Sequence, residues 1–194
     1  MALGFWQTLN TLQAAGTAIT AASRTSMTVG STQGRFTLPA NALKVPGDQL
    51  LVKASGIISA VITTPGTARF DLAMATTAKL DTQAMPLNIV ARTNVPWELE
   101  ILATLTTPGT AAAWTFIGKW ISEAMINTAL QATGPGPGGT MIPYSGTATG
   151  ASTAGTSFDA TVSNILDLYF TQTVATGSVQ LLQMNVSLLT ATGF

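Results

Sequence analysis

Two glutamates, Glu98 and Glu100, stand two residues apart in a stretch that alternates apolar and polar side chains. In a β-strand this spacing puts both carboxylates on one face of the sheet, as required of the acid and its partner in glycoside hydrolysis. The same spacing is typical of a solvent-facing strand edge whose charges keep it soluble. We expect the second interpretation, so no catalytic residue is predicted.

Asp159 and Asp167 also carry oxygen atoms of the kind that calcium prefers as ligands. No run of acids at alternating positions surrounds either of them. The glycine- and proline-rich residues 134–139 lack the lysine and the strand-to-helix setting of a phosphate-binding loop. The sequence therefore predicts no metal site and no cofactor.

Histidine and cysteine are both absent from the 194 residues. Without them the chain lacks the commonest general base near neutral pH and the commonest metal ligand, and thiol catalysis, thiolate metal sites and disulfides are excluded. We therefore expect a protein that is not an enzyme.

Charged residues make up only 8% of the chain, with eight basic and eight acidic side chains and a net charge of zero. Soluble globular domains carry roughly a quarter. Thr, Ser, Ala and Gly take the place of charge and make a neutral surface suited to close packing. Nucleic acid needs a basic face, which scattered single Lys and Arg residues do not form. The scarcity of charge predicts a homo-oligomer whose surface is largely covered by partners.

Residues 1–23 are the longest uncharged stretch near the start of the chain, but Gln7, Asn10 and Gln13 make it too polar for roughly 20 residues in lipid. It also lacks the basic beginning of a secretory signal. We expect no membrane partner, and synthesis in the cytoplasm without export.

Alternation of apolar and polar residues predicts strands along most of the chain. In residues 69–74, Phe70, Leu72 and Met74 alternate with charged residues, which is typical of a half-buried strand. Three tryptophans alternate with polar residues in the same way and are predicted to lie in the core: Trp97, Trp114 and Trp120.

Turn sequences separate these runs. The pentapeptide TTPGT occurs at residues 63–67 and again at 106–110, and each copy predicts a hairpin between its flanking strands. Gly56, inside the apolar run 49–63, predicts a bulge or a close contact. Roughly eight strands joined by turns predict an all-β fold, an antiparallel β-sandwich over residues 26–194.

Residues 1–25 are interpreted as an N-terminal arm. Phe5, Trp6, Leu9 and Leu12 have the spacing of one side of a short helix, which Gly16 would end. Their aromatic side packs either on the chain's own domain or on a neighbouring subunit, and we predict them as interface candidates.

Residues 132–157 are predicted to be a long loop, because they contain no charge and are rich in Gly, Pro and Thr. Such a loop is either disordered or functional. Met141, Ile142 and Tyr144 in its middle are apolar enough to anchor on a partner, and they complete the predicted interface set.

Several short sequence motifs occur in a defined order along the chain: FTLPAN (36–41), GDQLLVKASGIIS (47–59), TNVPWELE (93–100), SEA (122–124), FD (158–159) and LDL (166–168). In order and spacing they resemble a group of small virion-associated proteins of tailed bacteriophages. The resemblance implies a jelly-roll-like sandwich that self-associates as a trimer, on or within the particle. It brings no catalytic residues.

Three functions follow as hypotheses. The first is a capsid decoration or cement subunit that contacts the major capsid protein and is located in the virion. The second is a head-fibre or tail module that recognises a receptor on the host cell surface. The third is a hydrolase of cell-surface polysaccharide acting through Glu98 and Glu100. The first is the one we expect.

Overall fold

The computed structural model describes residues 6–30, 34–61, 66–74, 77–82, 84–125, 158–175 and 177–190, and the backbone alone for residues 138–142. Twelve strands lie in this part of the chain: β1 (Trp6–Thr11), β2 (Thr25–Ser26), β3 (Phe36–Leu38), β4 (Gln49–Ala60), β5 (Thr67–Met74), β6 (Thr77–Asp81), β7 (Met85–Pro86), β8 (Arg92–Thr107), β9 (Ala113–Ser122), β10 (Gly138–Ile142), β11 (Asn164–Gln172) and β12 (Ser178–Leu189). They form two antiparallel sheets packed together, which confirms the predicted all-β sandwich.

The strand order is that of a jelly roll. Sheet A runs β1-β12-β4-β8-β9-β10 and sheet B runs β2-β11-β5-β6, with β3 paired to β11 and β7 to β5. The chain crosses between the sheets after β1, β3, β4, β7, β10 and β11. The series β1-β12-β4-β8 and β2-β11-β5-β6 are the two four-stranded halves of the roll, and most neighbouring strands in them are distant in sequence. Strands β9 and β10 widen sheet A beyond the eight-strand pattern.

The core lies between the sheets and is centred on aromatic rings. The ring centroid of Phe70 on β5 lies 4.7 Å from that of Trp97, 4.8 Å from Trp120 and 5.2 Å from Phe170. Trp97, Trp114 and Trp120 are each at most 1% exposed, which confirms their predicted place in the core. Burial of such large side chains is the main source of stability in the sandwich.

The predicted helix at the N-terminus is wrong. Trp6–Thr11 forms strand β1, which pairs with β12 at one edge of sheet A and has a register shift between Thr8 and Asn10. The bulge residue Leu9 explains the misleading spacing, because one extra residue in a strand breaks the period of two and mimics a helical repeat.

The predicted loop 132–157 also contains a strand. Residues Gly138–Ile142 form β10, which pairs with β9 through register pairs that include Met141 with Lys119. Backbone hydrogen bonds to an existing strand edge explain why so glycine-rich a segment is extended there.

Only one of the two predicted hairpins is present. Residues 106–110 join β8 to β9, which pair along their length, and Gly109 takes the positive φ of 101° that the turn requires. The other TTPGT copy stands between β4 and β5, which lie in different sheets and do not pair. The connection from β4 to β5 therefore crosses between the sheets, and residues 63–65 of this copy lie outside the described part of the chain.

Gly56 is a close-contact point, as predicted. A Cβ atom there would overlap the carbonyl oxygen of Gln180 and come within 2.9 Å of the Trp97 ring. The neighbouring strand β12 has its own register shift between Leu181 and Gln183, directly beside this position. Glycine thus allows β4 and β12 to approach each other across a bulge.

Candidate functional site

The outer face of sheet A, the side turned away from sheet B, carries a row of polar side chains at the centre of the sheet. The register places Asn185 of β12 beside Lys53 of β4, Lys53 beside Glu100 of β8, and Glu100 beside Lys119 of β9. We call Asn185, Lys53, Glu100 and Lys119 the charged row. Directly opposed residues of antiparallel strands share a face, so four strands together build this arrangement.

Within the charged row, Lys53 and Glu100 form an ion pair, with 3.1 Å between Nζ and Oε2. The two side chains are 57% and 37% exposed. A pair so open to solvent contributes less than about 1 kcal/mol to stability. The row is therefore free to be used for contacts with another molecule at little cost to the fold.

A shallow groove of about 560 Å³ lies along the charged row. Its lining combines apolar side chains with hydroxyl, amide, ammonium and carboxylate groups: Thr11, Leu12, Lys53, Ala54, Ser55, Glu98, Leu99, Glu100, Lys119, Gln183, Met184 and Asn185. Two lysines and two glutamates cancel, so the groove has no net charge. Such a site offers both donors and acceptors and suits a neutral surface of mixed polarity.

Glu98 and Glu100 lie on this outer face, as their spacing predicts, but they are not at a sheet edge. Strand β8 is flanked by β4 and β9, and the two glutamates face Ser55 and Lys53 on one side. Asparagine and glutamine side chains from β12 complete the groove on the other side of β4.

Two exposed isoleucines flank Lys119 on β9. Ile117 is 54% exposed and Ile121 is 41% exposed, and both alternate with inward residues so that they share the outer face with Lys119. Exposed β-branched side chains at the rim of a polar groove add an apolar contact surface beside it.

The structure places the residues that were predicted as interface candidates in different environments. Trp6 is 45% exposed and pairs with Leu189 on the outer face of sheet A, whereas Leu9 and Leu12 pack against the chain's own core. Met141 and Ile142 lie on β10 with only their backbone described. Phe5 and Tyr144 lie outside the described residues.

Part of the outer face of sheet B is covered by the segment between β1 and β2, which carries Arg24. Arg24 donates two hydrogen bonds to Asp71, at 2.8 Å from Nε and 2.6 Å from Nη2, and its guanidinium lies 3.7 Å from the centre of the Tyr169 ring. The hydrogen bond to Asp71 raises the pKa of Arg24 above its ordinary value, against the lowering effect of burial. Arg24 covers Asp71 on the outer face of β5. This strand was predicted to be half-buried, but at Asp71 both of its faces are buried.

The two aspartates considered as cation ligands are in separate networks. Asp167 accepts hydrogen bonds from Ser26, Thr28 and Arg35, and its side chain is 2% exposed. Asp159 accepts hydrogen bonds from the backbone and hydroxyl of Thr161 in a local turn. In the part of the chain that the structure describes, no three acidic, His or Cys side chains are grouped as a metal would require.

Sequence reasoning did not identify the charged row or the Arg24–Asp71 pair. Alternation places Lys53 and Lys119 on an outer face, but it does not tell which residues of other strands lie beside them. Only the register of β4, β8 and β9 brings them together.

The described residues define a jelly-roll sandwich with a neutral groove on one outer face. Among them there is no helix of the length and hydropathy needed to cross a membrane. No protein-family model matches the chain, and no curated protein matches it.

Proposed function

We propose that this chain is a structural subunit of a virion, a capsid decoration or cement protein that packs against copies of itself and against the shell of a tailed bacteriophage. It is proposed to act without catalysis and without a cofactor. Its contribution is contact area summed over many copies, because high effective concentration on a shell makes weak single contacts sufficient.

The observation that carries this proposal is the scarcity of exposed charge. All sixteen charged residues lie in the described part of the chain, and only six of them are exposed: Arg24, Arg35, Lys44, Lys53, Glu98 and Glu123. Eight of the sixteen are joined in four ion pairs. A freely diffusing protein of this size normally depends on exposed charge to stay apart from its copies.

Exposed apolar side chains support the same proposal. In addition to Ile117 and Ile121, several large apolar residues are at least 41% exposed: Trp6, Val29, Ile89, Val90, Val162, Ile165 and Leu182. Single exposed apolar residues are ordinary, but their combination with so few charges favours a surface that neighbours cover.

The jelly-roll topology is compatible with this role but does not establish it. Double-sheet jelly rolls occur in viral capsid proteins and in lectins, and function depends on the sites that a fold carries. Most of the short motifs that resemble phage virion proteins lie on β3, β4, β8 and β11, where they form the sandwich itself, whereas SEA begins at the last residue of β9 and FD lies before β11.

A host-recognition module on a head fibre or tail is the alternative. The groove on sheet A favours it, because a polar concave face could bind a cell-surface receptor. Copy number separates the two functions. A decoration protein is expected at an abundance close to that of the major capsid protein, whereas a fibre or tail module is expected at a small fraction of it.

Quantitative mass spectrometry of purified virions measures that ratio, and a particle reconstruction locates the subunit. Many copies per virion, seated on the shell, would support the decoration role. A few copies at a tail or vertex would support the alternative, and absence from the virion would contradict both.

A further inference from the structure

We propose that the outer face of sheet A is the surface through which copies of this chain bind one another. The inference rests on the self-association in the proposed function and deepens it, because it names one face and the residues that make it specific. The occupant of the groove is then a second copy of the same chain.

The first support is charge complementarity within the face. Lys53, Glu100 and Lys119 alternate in sign along the charged row, and Glu98 stands one row away on the same strand as Glu100. A rotation axis running along the strands keeps each row at the same height in every copy. Lys119 of one copy then meets the carboxylates of the next, and in a threefold ring the same head-to-tail contact repeats at each interface.

The second support is the placement of apolar side chains. Ile117 and Ile121 project from β9 on either side of Lys119, at one side of the groove. They supply an apolar contact surface beside the groove, while the lysine supplies specificity. A projecting stripe and a groove on the same face are complementary when two copies meet.

The third support is size. Sheet A is six strands wide, and β4 and β12 are each 12 residues long. With about 4.8 Å between strands and about 3.3 Å per residue, the face measures roughly 24 Å by 40 Å. A stable interface buries about 800 Å² on each partner, so this face is large enough without help from sheet B.

A partner of strong single charge fits this face poorly. Because its two lysines and two glutamates cancel, the groove offers neither the basic surface that nucleic acid requires nor an acidic surface for a basic partner. A face of balanced charge is best matched by another of the same kind.

Two charge reversals test the proposal. Lys119→Glu leaves the face with a net charge of −2, and Glu98→Lys leaves it with +2, by counting Lys53, Glu98, Glu100 and Lys119. Each variant alone is expected to weaken self-association about 100-fold, because like charges oppose one another across the contact. An equimolar mixture is expected to form mixed oligomers with nearly wild-type affinity. Lys44→Glu, the same reversal in the turn before β4, is the matched control and should behave as wild type.

Sedimentation velocity measures the oligomers, native mass spectrometry identifies mixed species, and circular dichroism verifies that each variant is folded. A folded pair of variants that still self-associates like wild type, or that forms no mixed oligomer, would overturn the assignment of this face while leaving self-association standing. If the wild-type chain is a monomer in solution and is not found in virions, the proposed function is contradicted as well.

Discussion

Arg24 and Asp71, 47 residues apart in the chain, are joined by two parallel hydrogen bonds on the outer face of sheet B. The side chain of Asp71 is 2% exposed and that of Arg24 is 32% exposed. The pair fastens the segment between β1 and β2 onto the second sheet, so that the N-terminal part of the chain bridges both layers of the sandwich.

Removal of Arg24 is expected to leave Asp71 as a buried charge without its main partner. We expect Arg24→Ala to lower the free energy of unfolding by about 2–3 kcal/mol, somewhat less than for a fully buried pair because Arg24 is partly solvated. Arg69→Ala is the control, since the Arg69–Asp81 pair is more exposed and should cost about 1 kcal/mol or less. Urea unfolding measures both, and equal losses would contradict the special role of Arg24.

The pH dependence of this pair follows from the raised pKa of Arg24. A cation with a raised folded pKa contributes its full stability below its ordinary pKa and loses it only as the pH rises through the folded value. Titration of Arg24 is therefore expected to add no pH dependence between about pH 6 and 9.

Trp97 and Trp120 provide a matched pair for a second prediction. Both are at most 1% exposed and both contact Phe70, but the indole nitrogen of Trp97 donates to the carbonyl of Ile57 at 3.2 Å. The indole nitrogen of Trp120 has no hydrogen-bond partner among the described residues. Trp97→Phe is expected to cost about 1–2 kcal/mol more than Trp120→Phe, because only the first loses a hydrogen bond. Thermal unfolding tests this, and the reverse order would contradict it.

Trp6 and Leu12 separate the two interpretations of the N-terminal residues. Because Leu12 packs on the chain's own core and Trp6 is exposed, Leu12→Ala is expected to lower stability by about 1–2 kcal/mol and Trp6→Ala by less than about 0.5 kcal/mol. If Trp6 contacts a neighbouring copy, Trp6→Ala weakens self-association at unchanged stability. A stability loss at Trp6 equal to that at Leu12 would show that it serves only its own domain.

Glu98 and Glu100 test the proposal that the chain is not an enzyme. The wild-type chain is expected to release no reducing ends from bacterial cell-surface polysaccharide. The double variant Glu98→Gln/Glu100→Gln is expected to remain folded, with an unfolding free energy within about 1 kcal/mol of wild type, because the Lys53–Glu100 pair is solvated. Polysaccharide cleavage by the wild type that disappears in the double variant would establish catalysis.

The sandwich could be predicted because the alternation of apolar and polar residues along a strand is visible in the sequence. From Trp97 to Leu105 in β8, and along the whole of β9, every second residue is buried, and Trp97, Trp114 and Trp120 all follow that rule. The N-terminal strand was missed because a bulge at Leu9 breaks the alternation. The hairpin at residues 63–67 was predicted wrongly because the sequence TTPGT does not indicate whether the strand after it pairs with the strand before it or lies in the other sheet.

The candidate site was harder to predict than the fold. Lys53, Glu100 and Lys119 are distant in sequence and meet only through the register of three strands. Likewise, nothing local to Asp71 indicates that Arg24 will cover it. Contacts set by long-range pairing depend on the whole packing arrangement, which a single sequence does not display.

The mass of the purified chain in solution tests the central claim most directly. Light scattering or sedimentation over a dilution series is expected to give a multiple of 19.9 kDa, with a trimer as the proposed state. A stable 19.9 kDa monomer at high concentration that also fails to bind virions would contradict the claim that this charge-poor surface is covered by partners.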